Sequence, residues 1–457
     1  MTMRYTLHQP IPSSAVLRLV DRETGLITSV NQTVNTSYFG ANLFQAVAYV
    51  SNTRYLGPIL ADRIAAGTSF NKFGAFFASI GEAVERYCGN VTVRSMVHGS
   101  YSDLTARGMR ALSPDALPLY SDVQYADKRF PFCRFTTDLP LRWLWGRSLT
   151  SNNAILVPAS MALLNLHPVA LHDEPRINFV NFSGIAAGSD QTSAILAALL
   201  EIIERDATAL WWNSDAKGNA AAIDLSLWPT ISEYVGARGE RAGRCFKLFD
   251  ISNEVAVPTI ACMCFELKTS IMTMGFAARM DPTEAALKSL SEAAQLHQLS
   301  TNLLDPNSWI WKAQSAGIFH SQALAPYRSD RRYKDNFRSD YKDMSDLMHN
   351  SQYYLDPRSV EATNFLIASP NVRQPPKKSA IKSLDELVLG LAALGYDPIV
   401  VDLTTPDIAD VGLTVVRVLV PGFIPNAPSA FPYLGSPRLV KQSPFEKGYI
   451  PIPIPHS

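Results

Sequence analysis

Apolar residues along this chain recur with two periods. Short β-branched runs, "SAVLRLV", "AILVPAS", "VPTIACMCF", "SIMTMGFAA", "DPIVVDL" and "LTVVRVLVPG", have the length and composition of strands. Between them, stretches near 71–88, 190–212, 281–298 and 383–394 carry the 3.6-residue period of helices. The mixture predicts an α/β or α+β fold of enzyme size. Within the second helix, "ALLEIIERDA" (198–207) places Leu200, Ile202, Ile203 and Ala207 on one side and Glu201, Glu204 and Arg205 on the other. Two carboxylates three residues apart repel unless a cation, Arg205 or a metal ion, stands between them. The same grouping is also the ordinary make-up of a solvated helix face.

Repetition changes that reading. "SIGEAVERYCG" repeats the spacing with Glu82, Glu85 and Arg86 opposite Ile80, Ala83, Val84 and Tyr87. "TEAALKSLSEAAQLHQ" aligns Glu284, Lys288, Glu292 and Gln295 opposite Ala286, Leu287 and Leu290. Three helices each offering a carboxylate face would, turned toward one another, enclose an acidic pocket that needs divalent cations. Mg²⁺ is typically held by a few carboxylates together with the phosphates of a nucleotide.

Composition narrows the partners. The chain has 457 residues, 47% hydrophobic and 18% charged, enough for one large or two ordinary units with a sizeable core. Its 41 basic and 41 acidic residues cancel, leaving no overall field to recruit nucleic acid or an anionic membrane. The start of the chain lacks a signal-peptide pattern, and the most apolar stretch, "ILVPASMALLNLHPVALH", is broken by Pro158, Asn165, His167 and Pro168; the expected location is cytoplasmic. Five cysteines without a C-x-x-C pair fit reduced thiols, with Cys262 and Cys264 on one face of a core strand. H-E-x-x-H, G-x-S-x-G, P-loop and G-x-G-x-x-G motifs are all absent from the sequence.

Other stretches suggest local roles. Residues 327–350, dense in alternating charge and Tyr, read as an exposed segment, and 368–380, Pro-rich and basic, as a loop. Gly184 and Gly188 flank a turn leading into the Glu201 helix, where Ser189, Asp190 and Thr192 are candidate caps and the helix start is a candidate anion site. The chain closes on "GYIPIPIPHS", where Pro451, Pro453 and Pro455 fix φ and remove alternate N–H donors. An extended, polyproline-like rod is expected, suited to entering a groove, and a disordered or docking terminus is the alternative.

Taken in order, "ASIGEAVERY", "SGIAAG…LLEIIERDA", "GFAARMDPTEAALKSLSEAAQ", "VVRVLVPGF" and the terminal "PIPIP" resemble the YcaO family from about residue 60 onward. The resemblance implies a YcaO-like α+β fold around an acidic ATP and Mg²⁺ pocket. It also implies an N-terminal segment (1–60), a catalytic domain (61–440) and a Pro-rich tail (441–457). The P-x-P-x-P ending looks like that of members that form azoline rings: Cys, Ser or Thr of a ribosomally made precursor peptide attacks the preceding amide carbonyl, ATP phosphorylates the oxygen, and phosphate leaves. By the same resemblance Glu82, Glu85, Glu201, Glu204 and Glu292 would hold Mg²⁺ or nucleotide hydroxyls. Arg86 and Arg205 would contact phosphate or orient those carboxylates, Ser79 and Gln295 would add polar contacts, and Pro451, Pro453 and Pro455 would shape the peptide site. Implied partners are the peptide, a separate protein related to ubiquitin-activating enzymes that carries a leader-binding domain, a dehydrogenase where rings are oxidised, and a second copy of the chain. The alternatives are thioamide or amidine formation and a non-catalytic ATP-binding scaffold. The family's Gly-Lys-Gly turn is here "AAGTSFNKFG", with Lys72 the candidate substitute; its "SNG" is "NFSG"; His297 replaces an arginine; and His456 and Ser457 follow the last proline.

Overall fold

The computed structural model describes residues 14–56, 61–92, 94–117, 119–169, 174–213, 221–241, 243–369, 372–442 and 452–457. Three times the chain lays a strand along the open edge of a sheet and then crosses back over it with a long helix. The first unit is an antiparallel meander, β1 (Ile27–Asn35), β2 (Leu43–Val50) and β3 (Ile64–Ser69), followed by α1 (Lys72–Asn90). The second is β4 (Ile185–Gly188) followed by α2 (Gln191–Asn213). The third is another meander, β5 (Arg244–Asp250), β6 (Thr259–Glu266) and β7 (Ile271–Ala278), followed by α3 (Pro282–Leu303).

Each helix starts where a short polar side chain can take its free N–H groups. Asn71 accepts from the amides of Phe73 and Gly74. Asp190 accepts from Ser193 N at 2.7 Å, and Asp281 caps Thr283 with Pro282 in the first turn. Asp190 is thus the cap anticipated for the second helix, and its own carboxylate occupies that helix start.

Close helix–strand approach depends on one small residue per unit. A Cβ on Gly67 would stand 2.2 Å from Ala75 O, on Gly188 2.5 Å from Ala194 N, and on Gly275 2.2 Å from Ser289 O. Those are backbone atoms of α1, α2 and α3, so a side chain at any of the three would lift its helix off the strand.

The remaining strands anchor these edges. β4 is hydrogen-bonded antiparallel to β8 (Thr414–Leu419), and that sheet continues through Ile399–Asp402 and Leu141–Ser148 to Val97–Gly99, with Ala154–Pro158 alongside Leu141–Ser148. The β5–β7 sheet extends through Ala222–Ile223 to Val372–Arg373. Helices over predominantly antiparallel sheets make the fold α+β, as anticipated. β3, β4 and β7 are all terminal strands.

Several expectations are corrected. "SAVLRLV" is a 3₁₀ helix, Ser14–Leu19, not a strand: Val16 and Leu19, three residues apart, are buried, and Leu17 between them is exposed. The 185–188 stretch is strand rather than a turn between glycines. The charged 327–350 segment is folded into the core, with Tyr333 and Met344 at 0% exposure, while its charges pair locally, as in Arg328 with Asp330 and Arg338 with Asp340. Cys262 and Cys264 lie buried and free in β6, in line with the sequence reading. No helix among the described residues is long and apolar enough to cross a membrane.

Candidate active site

The acidic helix faces turn inward except at Glu284. Four of the carboxylates reach a backbone N–H at or beside an edge strand, where a terminal strand has donors to spare. Ala66 N of β3 donates to Glu82 Oε2 at 2.9 Å, Ala187 N of β4 to Glu85 Oε1 at 2.8 Å, Gly184 N to Glu201 Oε2 at 3.0 Å and Phe276 N of β7 to Glu292 Oε2 at 3.4 Å. Gly184 makes this bond from the left-handed region (φ +83°), and a Cβ there would stand 2.6 Å from Ile202 Cδ1 and Val418 O. The bond from β4 to Glu85 joins the first unit to the second.

The charges converge. Glu85 is pushed up to about 8 by burial and by the neighbouring Glu201 and Glu82 carboxylates, against the Ala187 N–H bond. Glu204, 5% exposed, is pushed up to about 8 by burial, with Glu292 and Glu201 adding to it and Arg205 opposing. Burial would raise Glu292 too, but Lys288, with Nζ 3.0 Å from Glu292 Oε1, and Arg205 hold it low. Arg86 lies 3.5 Å from Glu82 and 3.6 Å from Asp62, with its guanidinium 4.9 Å from the Phe182 ring centroid. Its Nη1 is buried and, among the described residues, without a hydrogen-bond partner. Arg205 Nε lies 3.4 Å from Glu204 Oε1.

Other anticipated residues sit at the joints. Gln295 Oε1 accepts from Thr68 Oγ1 at 2.6 Å, linking α3 to β3. Ser79, at 0% exposure, donates to Phe76 O within α1. Glu284 and Lys72 are exposed in the first turns of their helices. Pro451 lies outside the described residues, whereas Pro453 and Pro455 are buried. The tail is packed into the protein: Tyr354 donates to Pro453 O at 2.5 Å, Trp212 to Ile452 O at 2.7 Å and Met274 N to Pro455 O at 2.7 Å. The alternative of a disordered terminus is thereby set aside for residues 452–457.

Sequence reasoning missed two supporting cations. Arg417, at 0% exposure, donates to the carbonyls of Ala162, Asn181 and Ser183, fixing the chain just before Gly184. Burial pulls its pKa down to about 10, so it remains a cation at neutral pH. A lone arginine in the apolar "VVRVLV" was the available signal. On the far side of α2, Asp206 takes a bidentate pair from Arg438 (3.0 and 2.6 Å) and the Ile424 N–H at 3.1 Å.

These residues fit a magnesium-bound nucleotide. Among the described residues, no three His, Cys, Asp or Glu side chains form a ready-made cage for an ion. Mg²⁺ takes one or two carboxylates and fills its octahedron with phosphate and water. The carboxylate oxygens left over from the backbone bonds, and the unpartnered Arg86 Nη1, are groups that cations and phosphates would satisfy.

Comparison with known proteins shows the family and the fold. An uncharacterised protein of Methanothermobacter thermautotrophicus is 26% identical over 297 residues, 63% of this chain and 67% of its own. A heterocyclase solved in complex with substrate and cofactor superposes with a TM-score of 0.65 at 19% identity over 91% of this chain and 52% of its own, so this chain spans about half its length. YcaO from Methanopyrus kandleri, bound with AMPPCP and Mg²⁺, superposes with a TM-score of 0.55 at 18% identity over 86% of both chains. The family model described as YcaO cyclodehydratase, ATP- and Mg²⁺-binding, matches residues 66–424, most of the chain, and the protein belongs to the YcaO family.

Proposed function

We propose that the chain is the catalytic subunit of an ATP-dependent peptide cyclodehydratase. The observation that carries this reading is the convergence of Glu82, Glu85, Glu201, Glu204 and Glu292 from three helices onto sheet edges, with Glu85 and Glu204 pushed up to about 8. Such crowding destabilises an empty site and favours bound cations. When bound, ATP supplies the phosphoryl group and Mg²⁺ neutralises its charge, so the protein's task is positioning and electrostatic stabilisation.

In this reading the five glutamates hold Mg²⁺ or the nucleotide hydroxyls, and Arg86 and Arg205 contact phosphate or orient those carboxylates. Ser79 and Gln295 add polar contacts, and Gln295 also ties α3 to β3 through Thr68. The Pro-rich end, Pro451, Pro453 and Pro455, would shape the peptide site, a reading supported by the anchoring of Pro453 and Pro455 through Tyr354 and Met274 beside the acidic helices. A Cys, Ser or Thr side chain of a ribosomally made precursor peptide adds to the preceding amide carbonyl. That addition closes the five-membered ring; the oxygen is then phosphorylated, and phosphate leaves with the former amide N–H proton lost, giving the C=N bond of the thiazoline or oxazoline. A leader-binding partner related to ubiquitin-activating enzymes would deliver the peptide, and a homodimer is the proposed assembly.

The test is the intact mass of the cognate peptide after incubation with the protein, that partner and Mg-ATP. Loss of one water per modified residue with release of ADP is expected. Oxygen-for-sulfur exchange would move the reading to thioamide formation, and no change with a verified peptide and partner would leave a scaffold.

A further inference from the structure

The tail beyond the prolines delivers one more side chain to the acidic site. His456 is 6% exposed, with Nε2 2.8 Å from Arg205 Nη1 and Nδ1 3.0 Å from the Met274 carbonyl oxygen. A guanidinium only donates and a carbonyl only accepts. The two contacts therefore dictate where the ring proton sits: Nδ1–H donates to Met274, and the Nε2 lone pair accepts from Arg205. An imidazolium would set two N–H groups against each other. Burial and the adjacent Arg205 cation also keep the ring neutral, with its pKa pulled down to about 4.

The tether runs along the open edge of β7. Met274 N donates to Pro455 O at 2.7 Å, so successive tail residues take both backbone groups of Met274. Pro455 has no N–H to return, and the imidazole of the next residue supplies the missing donor. The two E-x-x-E-R arginines make the comparison internal. Among the described residues Arg86 Nη1 is buried and unpartnered, whereas Arg205 Nη1 has His456.

We propose that His456 is a positioning residue of the phosphate site, a neutral Nδ1-protonated ring that is tethered to β7 and holds the Arg205 guanidinium beside Glu204 through its Nε2 lone pair. The part played by phosphate rests on the function proposed above; the tautomer does not.

Glutamine and asparagine separate the ring's two contacts. Gln places its amide near the Nε2 position and keeps an acceptor for Arg205, whereas Asn places its amide near Nδ1 and keeps only the donor to Met274. With peptide and partner present, His456→Asn and His456→Ala should raise the KM for ATP about tenfold, the worth of one charge-assisted hydrogen bond, with a smaller change in kcat. His456→Gln should recover most of that loss. Ring correlations of the full chain labelled with [15N]histidine, assigned by the signal missing from His456→Ala, should show the neutral Nδ1–H form at neutral pH. An Nε2–H ring or an imidazolium overturns the proposal, as does an unaltered KM in all variants or a Gln variant as impaired as Ala. If the parental protein turns over no ATP with a verified peptide and partner, the cyclodehydratase reading falls, and the tautomer still decides whether His456 holds Arg205.

Discussion

Gly275→Ala tests whether the carboxylate helices must lie directly on their edge strands. The added Cβ would stand 2.2 Å from Ser289 O and 2.4 Å from Ala293 N. Both are backbone atoms of α3, so no rotamer change relieves the clash; regaining van der Waals separation requires moving the helix by roughly 1 Å. Overpacking of this kind costs typically 1–3 kcal/mol, and a backbone obstacle places it at about the upper end. The same shift acts on the site. Phe276 N to Glu292 Oε2 is already 3.4 Å, so a further ~1 Å ends that bond, and the Thr273 hydroxyl bond to Ala293 O at 2.8 Å is strained with it. Scanning calorimetry should show a melting temperature lowered by about 3 °C, and titration should show weaker Mg-ATP binding. Gly390→Ala is the control: Gly390 lies inside the Leu384–Ala393 helix with open space around its Cβ position, and the change should stabilise by about 0.5–1 kcal/mol. A Gly275→Ala protein that melts no lower than the parent and binds nucleotide equally well would refute the close-packing argument.

Glu201→Gln should abolish ATP turnover while circular dichroism and melting stay near the parental values; unchanged peptide modification would remove Glu201 from the site. Arg438→Met leaves Asp206, at 0% exposure, without its bidentate partner and should destabilise by about 3–5 kcal/mol in urea unfolding; a loss below about 1 kcal/mol would show that the pair contributes little. Without nucleotide, Glu85 and Glu204 keep their protons up to about pH 8 in the folded protein, whereas in the unfolded chain they lose them near pH 4.3, roughly the free value. Their stabilisation is therefore complete below the unfolded value and lost as pH rises toward 8. Unfolding between pH 6 and 8 should show this decline, and Mg-ATP should flatten it; a rise in apo stability over that range would contradict the burial of these carboxylates.

The three acidic helices are legible in the sequence because a 3.6-residue period and the E-x-x-E-R spacing are local properties. Their boundaries fall within a few residues of expectation except for α3, which runs on to Leu303. β1, "ITSVNQTVN", escapes because it is a half-exposed strand in which polar residues outnumber apolar ones. The Asp206–Arg438 clamp escapes for a different reason. Its partners are 232 residues apart, and neither spacing nor composition encodes such a meeting. His456 is conspicuous as an extension past the prolines, yet only the fold reveals that it lands on Arg205.

The way the edge strands are anchored also sets an order of assembly. β3 with α1 and β7 with α3 are built from contiguous sequence, so their contacts close over short loops. β4 is held instead by β8, with Ala187 opposite Val415, and that loop takes in about half of the chain. Closing long loops is slow. The first and third units should therefore gain amide protection before the second in pulse-labelled refolding, and early protection across β4 and β8 would refute that order. The acidic site is then a late event in folding, assembled from parts that have already acquired their own structure.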